Sequence, residues 1–492
     1  MPYRVAAVLA LVTCALALAL MAVRVSSAVS FHMPLMASTS GVEEETAISI
    51  WRYVRGLDVY QHPHHIPFSA AAYNWLFYVL HGEVARIVLG SFGLPEVWLL
   101  TVSRLVTLAL TAVGSIVTWY GFRALVPSPS FMNRLAAPFS IYLFFGPLVG
   151  FWAISLNMEV AATLFTAAAT VVFCRWYDAA SARTVIIASL LSLLAWSFKQ
   201  SYVYAAGAIG LFLLLRGDWR GLATTVLIHI AGWSSALMLG SDVYFRIMFF
   251  VGMDATLSVT TLWRNVVNVA VKTTPTLAVV VVCACAVARR VPIRSLMADT
   301  PLLFSVCGTV VSAMFVVPFS AKIGAAENYY LALIWYLTFA AFAAARHLDD
   351  HAFGRISATI IAASWLLAGM AVLTVLTGMQ GARSVSASHE RHVAQQACLR
   401  GLPAPLFAVD GYLALPWMTE AEPRFVLFYT YHPDRKAGRP FERDGVAGLI
   451  RERYFSTIIM PAGAPSEFEG ALLDAYERQV SNCAGLDIYL RR

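Results

Sequence analysis

The chain has 492 residues, of which 59% are hydrophobic and only 13% charged, with a formal net charge of +7. Soluble domains carry about 25% charged residues, so an ordinary soluble protein is excluded and repeated membrane crossing is the reading that fits. The positive excess falls largely in short loops between apolar runs, a pattern that orients a membrane protein and does not build a nucleic-acid-binding face.

Residues 5–25 form an apolar run long enough to cross a bilayer. It exceeds the apolar core of a cleaved signal peptide, so it predicts an uncleaved anchor with Arg4 on the cytoplasmic side. The first external loop then covers about residues 26–96. Its stretch Gly41–Pro67, GVEEETAISIWRYVRGLDVYQHPHHIP, packs three adjacent carboxylates, two arginines and three histidines into a chain otherwise short of charge. Phe68–Gly90 follows, an aromatic run broken by His81, Glu83 and Arg86, and predicts a helix lying in the membrane interface. Further spans are predicted near 97–125, 135–155, 158–176, 184–199, 202–215, 221–240, 270–288, 301–319, 329–345 and 355–378. With the first, these make about eleven. The two around Phe198-Lys199-Gln200-Ser201 are close enough to be one long interrupted helix instead.

With the N-terminus inside, every cytoplasmic loop carries at least two arginines, among them Arg123 with Arg134, Arg175 with Arg183 and Arg216 with Arg220. The external side then holds the opening loop, Asn157 near Glu159, Lys199, residues 241–269, the turn Ser320–Asn328 and everything after about Met379. The tail, 379–492, differs from the membrane module, 1–378. Short apolar runs at Leu406–Val409, Phe425–Tyr429 and Thr457–Met460, bounded by Gly and Pro, predict strands, and Glu467–Gln479 predicts a helix, giving a small α/β domain outside the membrane. Of seven cysteines, none shows metal-ligand spacing; Cys398 and Cys483 lie in the tail and can pair in an oxidising compartment.

Glu43, Glu44 and Glu45 stand at a predicted helix start, with Ser38, Thr39 and Ser40 before them as caps; acids favour that position for its dipole alone. Three successive helical residues fan over about 200°, so one carboxylate can face almost any neighbour. Such a group can act as general base toward an acceptor hydroxyl or hold a divalent cation; Asp58 and Glu159 are weaker choices for either role. Arg52 and Arg55, three apart, share a helical face and can grip a phosphate or simply reach the lipid headgroups. His62, His64 and His65 lack the fixed geometry of a dependable metal motif and read as a solvated or substrate-lining loop. Lys199 and Lys322 are ionisable groups at the ends of apolar runs on the same side, suited to a lipid-linked phosphate, with snorkelling as the competing explanation.

Glu43-Glu44 followed by Gly56 and Tyr60, FKQS at Phe198–Ser201, AKIGAAENYYL at Ala321–Leu331 and PLFAVDGYLALPW in the tail together resemble the GT-C superfamily of polyprenyl-phosphate-sugar glycosyltransferases. The branch is that of the protein mannosyltransferases and aminoarabinose transferases, family 39. The likeness spans nearly the whole chain. It implies a mainly α, polytopic helical bundle with external catalysis and a donor carried on a lipid phosphate. In that family the first acid of the loop is the expected base, which carries over to Glu43, with Glu44 beside it. This chain departs from the usual Asp-Glu by having Glu-Glu-Glu.

The expected activity is transfer of a sugar from a polyprenyl-phosphate donor to a cell-envelope glycan, lipid or protein acceptor, in the inner (plasma) membrane of a bacterium. Glu43 or Glu44 acts as base, Arg52, Arg55, Lys199 and Lys322 hold the donor phosphate, and Tyr60, His65, Glu327, Asn328, Tyr329 and Tyr330 shape the substrate pocket. No cofactor is demanded; a divalent cation is the one conceivable addition. The rival is a transporter or flippase of lipid-linked sugars, which would tend to show internal repeats, and none is evident. An inert anchor for a receptor-like tail would not need about eleven spans.

Overall fold

The computed structural model describes residues 2–30, 42–68, 73–127, 130–251, 257–322, 325–348, 359–369, 393–409, 434–462 and 485–492, with residues 71, 415, 431, 472, 474–479 and 483. The expected caps of the acidic helix, the 378/379 boundary and the strand at 425–429 lie outside the described residues.

The architecture is a helical bundle carrying a small C-terminal sheet. In chain order the main helices are α1 (Pro2–Ser30), α2 (Val42–Val54), α3 (Trp75–Phe92), α4 (Leu99–Leu125), α5 (Phe131–Phe145), α6 (Met158–Trp176) and α7 (Ser181–Phe198). They continue with α8 (Tyr204–Arg216), α9 (Trp219–Leu239), α10 (Val259–Lys272), α11 (Thr274–Ala288), α12 (Thr300–Phe319), α13 (Leu331–Ala345) and α14 (Thr359–Gly369). Every predicted span therefore contains a helix. Six helices among the described residues are long and apolar enough to cross a membrane, and the bent pair α10–α11 makes a seventh. At 1.5 Å per residue an 18-residue helix is about 27 Å long, close to the hydrocarbon thickness.

The centre of the bundle is α6, buried nearly all round and packed against α4 and α7. Its face of Ala161, Ala162, Thr163, Thr166, Ala167 and Thr170 lets neighbouring backbones come close, and the Thr166 and Thr170 hydroxyls return to carbonyls one turn back. Gly308 of α12 serves the same purpose: a Cβ there would lie 2.3 Å from the Tyr336 ring. By contrast α9 is largely exposed, as suits a helix at the lipid-facing edge.

Two predicted spans are broken, for reasons visible in their residues. The run expected over 135–155 stops as a helix at Phe145, because Gly146 takes an extended conformation (ψ −173°) before Pro147, as a residue before proline prefers. The chain then runs through a short 3-10 turn at Gly150–Ala153 to Asn157, whose side chain caps α6 by accepting from the Glu159 N–H at 2.8 Å. The run expected over 270–288 turns by 80° at Thr273, with Pro275 starting α11. Before the turn, α10 exposes Val259, Trp263, Val266 and Val271, spaced 4, 3 and 5 residues apart along the helix, while Asn265 is buried. Around 198–201 the structure has two helices, with Lys199–Val203 as the break.

The tail holds a four-stranded sheet of β1 (Leu406–Ala408), β2 (Thr457–Pro461), β3 (Tyr476–Gln479) and β4 (Leu486–Arg491), in the order β1-β2-β4-β3. Only β1 and β2 run parallel. The helix predicted over Glu467–Gln479 is corrected at its end: Tyr476–Gln479 is an edge strand, antiparallel to β4. Its single buried residue, Tyr476, and the cross-strand contact of Arg478 with Asp487 at 2.6 Å fit a half-buried edge. Polar residues around one apolar anchor are compatible with either period, and pairing with β4 decides. The tail also grips the opening loop. His64 pairs with Asp434 at 2.9 Å, the Glu442 N–H donates to the His64 carbonyl and the Ile66 N–H to the Glu442 carboxylate, both at 2.9 Å, and Phe68 packs on Tyr431 and Phe441.

Cys398 and Cys483 are disulfide-bonded, 85 residues apart in sequence. A bridge closing so long a loop typically contributes about 2–4 kcal/mol. Purified protein is expected to shift in non-reducing gel mobility on reduction, and Cys398→Ser with Cys483→Ser to lower its apparent Tm; two titratable thiols at these positions in the native protein would contradict the pairing.

Candidate active site

The three acids of α2 are all buried, in the first turn of a helix that enters the bundle beside α4. Glu43 is completely enclosed. Arg104 of α4 donates to both its oxygens, Nε to Oε1 at 2.9 Å and Nη2 to Oε2 at 2.8 Å, and the Leu156 N–H reaches Oε1 at 3.4 Å. This fork-to-fork geometry is the strongest form of a charged hydrogen bond, and it satisfies a carboxylate that burial would otherwise penalise by several kcal/mol. The break after Phe145 is what brings Leu156 there.

A second buried pair lies between α6 and the end of α7. Lys199 is ion-paired with Glu159, and the Asn328 Nδ2–H donates to the same carboxylate at 2.9 Å. The ammonium also stands 4.5 Å over the Tyr329 ring. Burial alone would lower the Lys199 pKa; the Glu159 carboxylate and Tyr329 reverse this and leave it raised, so the lysine is charged. Lys322 stands 4.5 Å over Phe319, and its pKa is lowered, first by burial and then by the nearby Lys199.

Tyr73 stands near acids of both groups. It is half-buried, and its pKa is raised well above the ordinary tyrosine value, first by burial and then by the carboxylates of Glu45 and Glu159. The Tyr60 hydroxyl donates to the Tyr73 carbonyl at 2.9 Å, and Tyr60 meets Tyr78 and Tyr244 edge-on. Asn74 next to it caps α3, donates to the Trp196 carbonyl at 2.8 Å and accepts from Tyr244. The opening loop is thereby fastened to the end of α7, where Lys199 follows three residues later.

The remaining predicted residues divide. Glu44 and Glu45 are buried beside Glu43; Asn328 joins the second pair through Glu159 and Tyr329 through Lys199. Tyr330 shares a hydroxyl hydrogen bond with Ser320 at 2.8 Å, and Glu327 pairs with Lys272, so both hold the turn after α12 in place. Arg52 is buried and its Nε donates to the Asp58 carbonyl at 2.7 Å, whereas Arg55 is half-exposed and paired with Glu96; the shared face expected for them divides into an inner and an outer arginine. His65 is exposed and stacked on His62, in the turn that meets the tail. Among the described residues no group of three or more His, Cys, Asp or Glu side chains is placed to hold a metal ion. Arg104 and Tyr73 did not figure in the sequence reading, although an arginine six residues into an apolar span is a signal in itself.

No known protein family matches the chain, and no curated protein does. The solved structures do. The crystal structure of ArnT from Cupriavidus metallidurans bound to undecaprenyl phosphate superposes with a TM-score of 0.62 at 14% identity, over 97% of this chain and 97% of that one. The apo ArnT structure gives a TM-score of 0.58 at 14% identity, over 91% and 92% of the two chains. The fold is thus of the GT-C type that the motifs resemble.

Removing one member of the inner pair strands a buried charge. Arg104→Met is expected to destabilise the protein by about 3–5 kcal/mol, and adding Glu43→Leu to recover much of the loss. Thermal unfolding of the purified variants checks this; a single variant as stable as wild type would contradict it.

Proposed function

We propose that the chain is an integral membrane glycosyltransferase that takes a sugar from a polyprenyl-phosphate donor and passes it to a cell-envelope glycan, lipid or protein at the outer face of the inner membrane. The observation that carries this reading is the convergence of three buried acids with the Glu159–Lys199 pair and Lys322, in a fold that in ArnT accommodates undecaprenyl phosphate. The bonded Cys398 and Cys483 support an oxidising compartment for the tail, and with it a cytoplasmic N-terminus.

The residues suggest a division of labour. Glu43 has both oxygens engaged by Arg104, so we assign it to anchoring α2. Glu44, its neighbour, is then the general base that takes the proton from the acceptor hydroxyl as that oxygen attacks the sugar's anomeric carbon. The leaving group is the polyprenyl phosphate, and the ammonium groups of Lys322 and Lys199 stabilise its charge, with Arg52 and Arg55 serving the approach from the headgroup region. No nucleotide-binding domain is needed, since the lipid carries the donor.

General-base catalysis contributes about 10²–10⁴-fold, so Glu44→Gln is expected to lower transfer by at least about a hundredfold while the protein remains folded and inserted. The measurement is incorporation of label from a radiolabelled polyprenyl-phosphate sugar into envelope material. Undiminished incorporation by Glu44→Gln with loss in Glu45→Gln would move the base by one residue; full activity in both would sink this mechanism.

A further inference from the structure

The outer pair is incompletely satisfied. Glu159 Oε1 receives Lys199 and the Asn328 amide N–H, but Glu159 Oε2 is buried with no hydrogen-bond partner among the described residues. Asn328 Oδ1 is in the same state. The orientation of that amide follows from chemistry, because its other end faces a carboxylate and must therefore be the N–H side. Both residues are more than nine-tenths buried. Two acceptors on directly bonded side chains, both closed off from bulk water, cost about 1–3 kcal/mol each if nothing donates to them. They lie beside Lys199, the residue that links this pair to the lipid-phosphate end of the site.

We propose that Glu159 Oε2 and Asn328 Oδ1 form the subsite for hydroxyl groups of the transferred sugar, and that this subsite selects a neutral sugar over an amino sugar. The inference rests on the glycosyltransferase reading above. Two O–H donors supply what the two acceptors lack. The charge at the subsite is already balanced, since Lys199 neutralises Glu159 at the carboxylate itself. A hydroxyl therefore enters without new charge, whereas a buried ammonium would add a charge that the neutral Glu159–Lys199 pair does not balance. Neighbouring Tyr329, whose ring faces Lys199, leaves that cation turned toward aromatic and carboxylate partners. A site that hydrogen-bonds a hydroxyl rejects analogues lacking it, because its own buried acceptors are then left unmet.

The test uses the purified full-length protein in nanodiscs and four lipids: undecaprenyl phosphate, undecaprenyl methyl phosphate, undecaprenyl-phosphoryl arabinose and its 4-amino-4-deoxy analogue. The last three are all phosphodiesters, so they differ only in the group esterified to the lipid phosphate. Wild type is expected to bind the arabinosyl lipid at least about tenfold more tightly than the methyl diester, and more tightly than the amino analogue. Asn328→Ala is expected to bring the arabinosyl lipid down to the methyl diester while leaving undecaprenyl phosphate within about twofold of its wild-type affinity.

A wild-type preference for the amino analogue, or no gain from the sugar at all, overturns the subsite. So does an Asn328→Ala variant that loses the bare lipid as strongly as the arabinosyl one, because the residue then serves the fold or the phosphate. Failure of wild type to bind any of the four lipids overturns the glycosyltransferase reading itself, and the subsite with it.

Discussion

The structure depends on one constraint: an ionised side chain buried in an apolar helical bundle must meet its counter-charge inside the bundle. Leaving it alone costs several kcal/mol, more than a marginally stable fold can spare. Glu43 with Arg104 and Glu159 with Lys199 are two solutions to that demand, and each joins elements remote in sequence. The first fastens α2 to α4 and to the irregular chain after Phe145. The second fastens α6 to the end of α7 and, through Asn328, to the start of α13. With those four anchors set, Tyr73 and Asn74 fix the opening loop between them, and the tail closes over the loop through His64, Ile66 and Phe68.

Charge pairing also explains why the acids at one helix start do different things. Successive residues on α2 point in directions about 100° apart. Glu43 meets a guanidinium, and Glu45 lies near enough to Tyr73 and Tyr78 to raise their pKa values. The sequence EEE therefore spans at least two environments.

Much of the fold was legible because its signals are local. Apolar runs of about 20 residues, arginine-rich short loops and a compositionally different tail need no tertiary information. The GT-C resemblance rested on loosely spaced motifs, yet the fold it implied is the fold found, at an identity too low for any family to match. What escaped is non-local. Arg104 was absorbed into a span because its neighbours are apolar, and only the partner at Glu43, 61 residues earlier, gives it meaning. Glu159 ranked as a weak acid until Lys199 and Asn328 converged on it. The strand at Tyr476–Gln479 is polar enough to read as a helix, and its pairing with β4 is information the segment does not contain. The break after Phe145 was visible in Gly146-Pro147; an otherwise continuous hydropathy concealed it.

The proposed lipid-phosphate site lies at the end of the bundle that carries Lys199 and Lys322. A cryo-EM structure of the protein reconstituted with undecaprenyl phosphate tests that claim most directly. It should show the phosphate in contact with the Lys199–Lys322 region and within reach of the α2 acids. Density for the phosphate at the opposite end, where Asp299 pairs with Arg346 and His347, or anywhere else remote from α2, would contradict it.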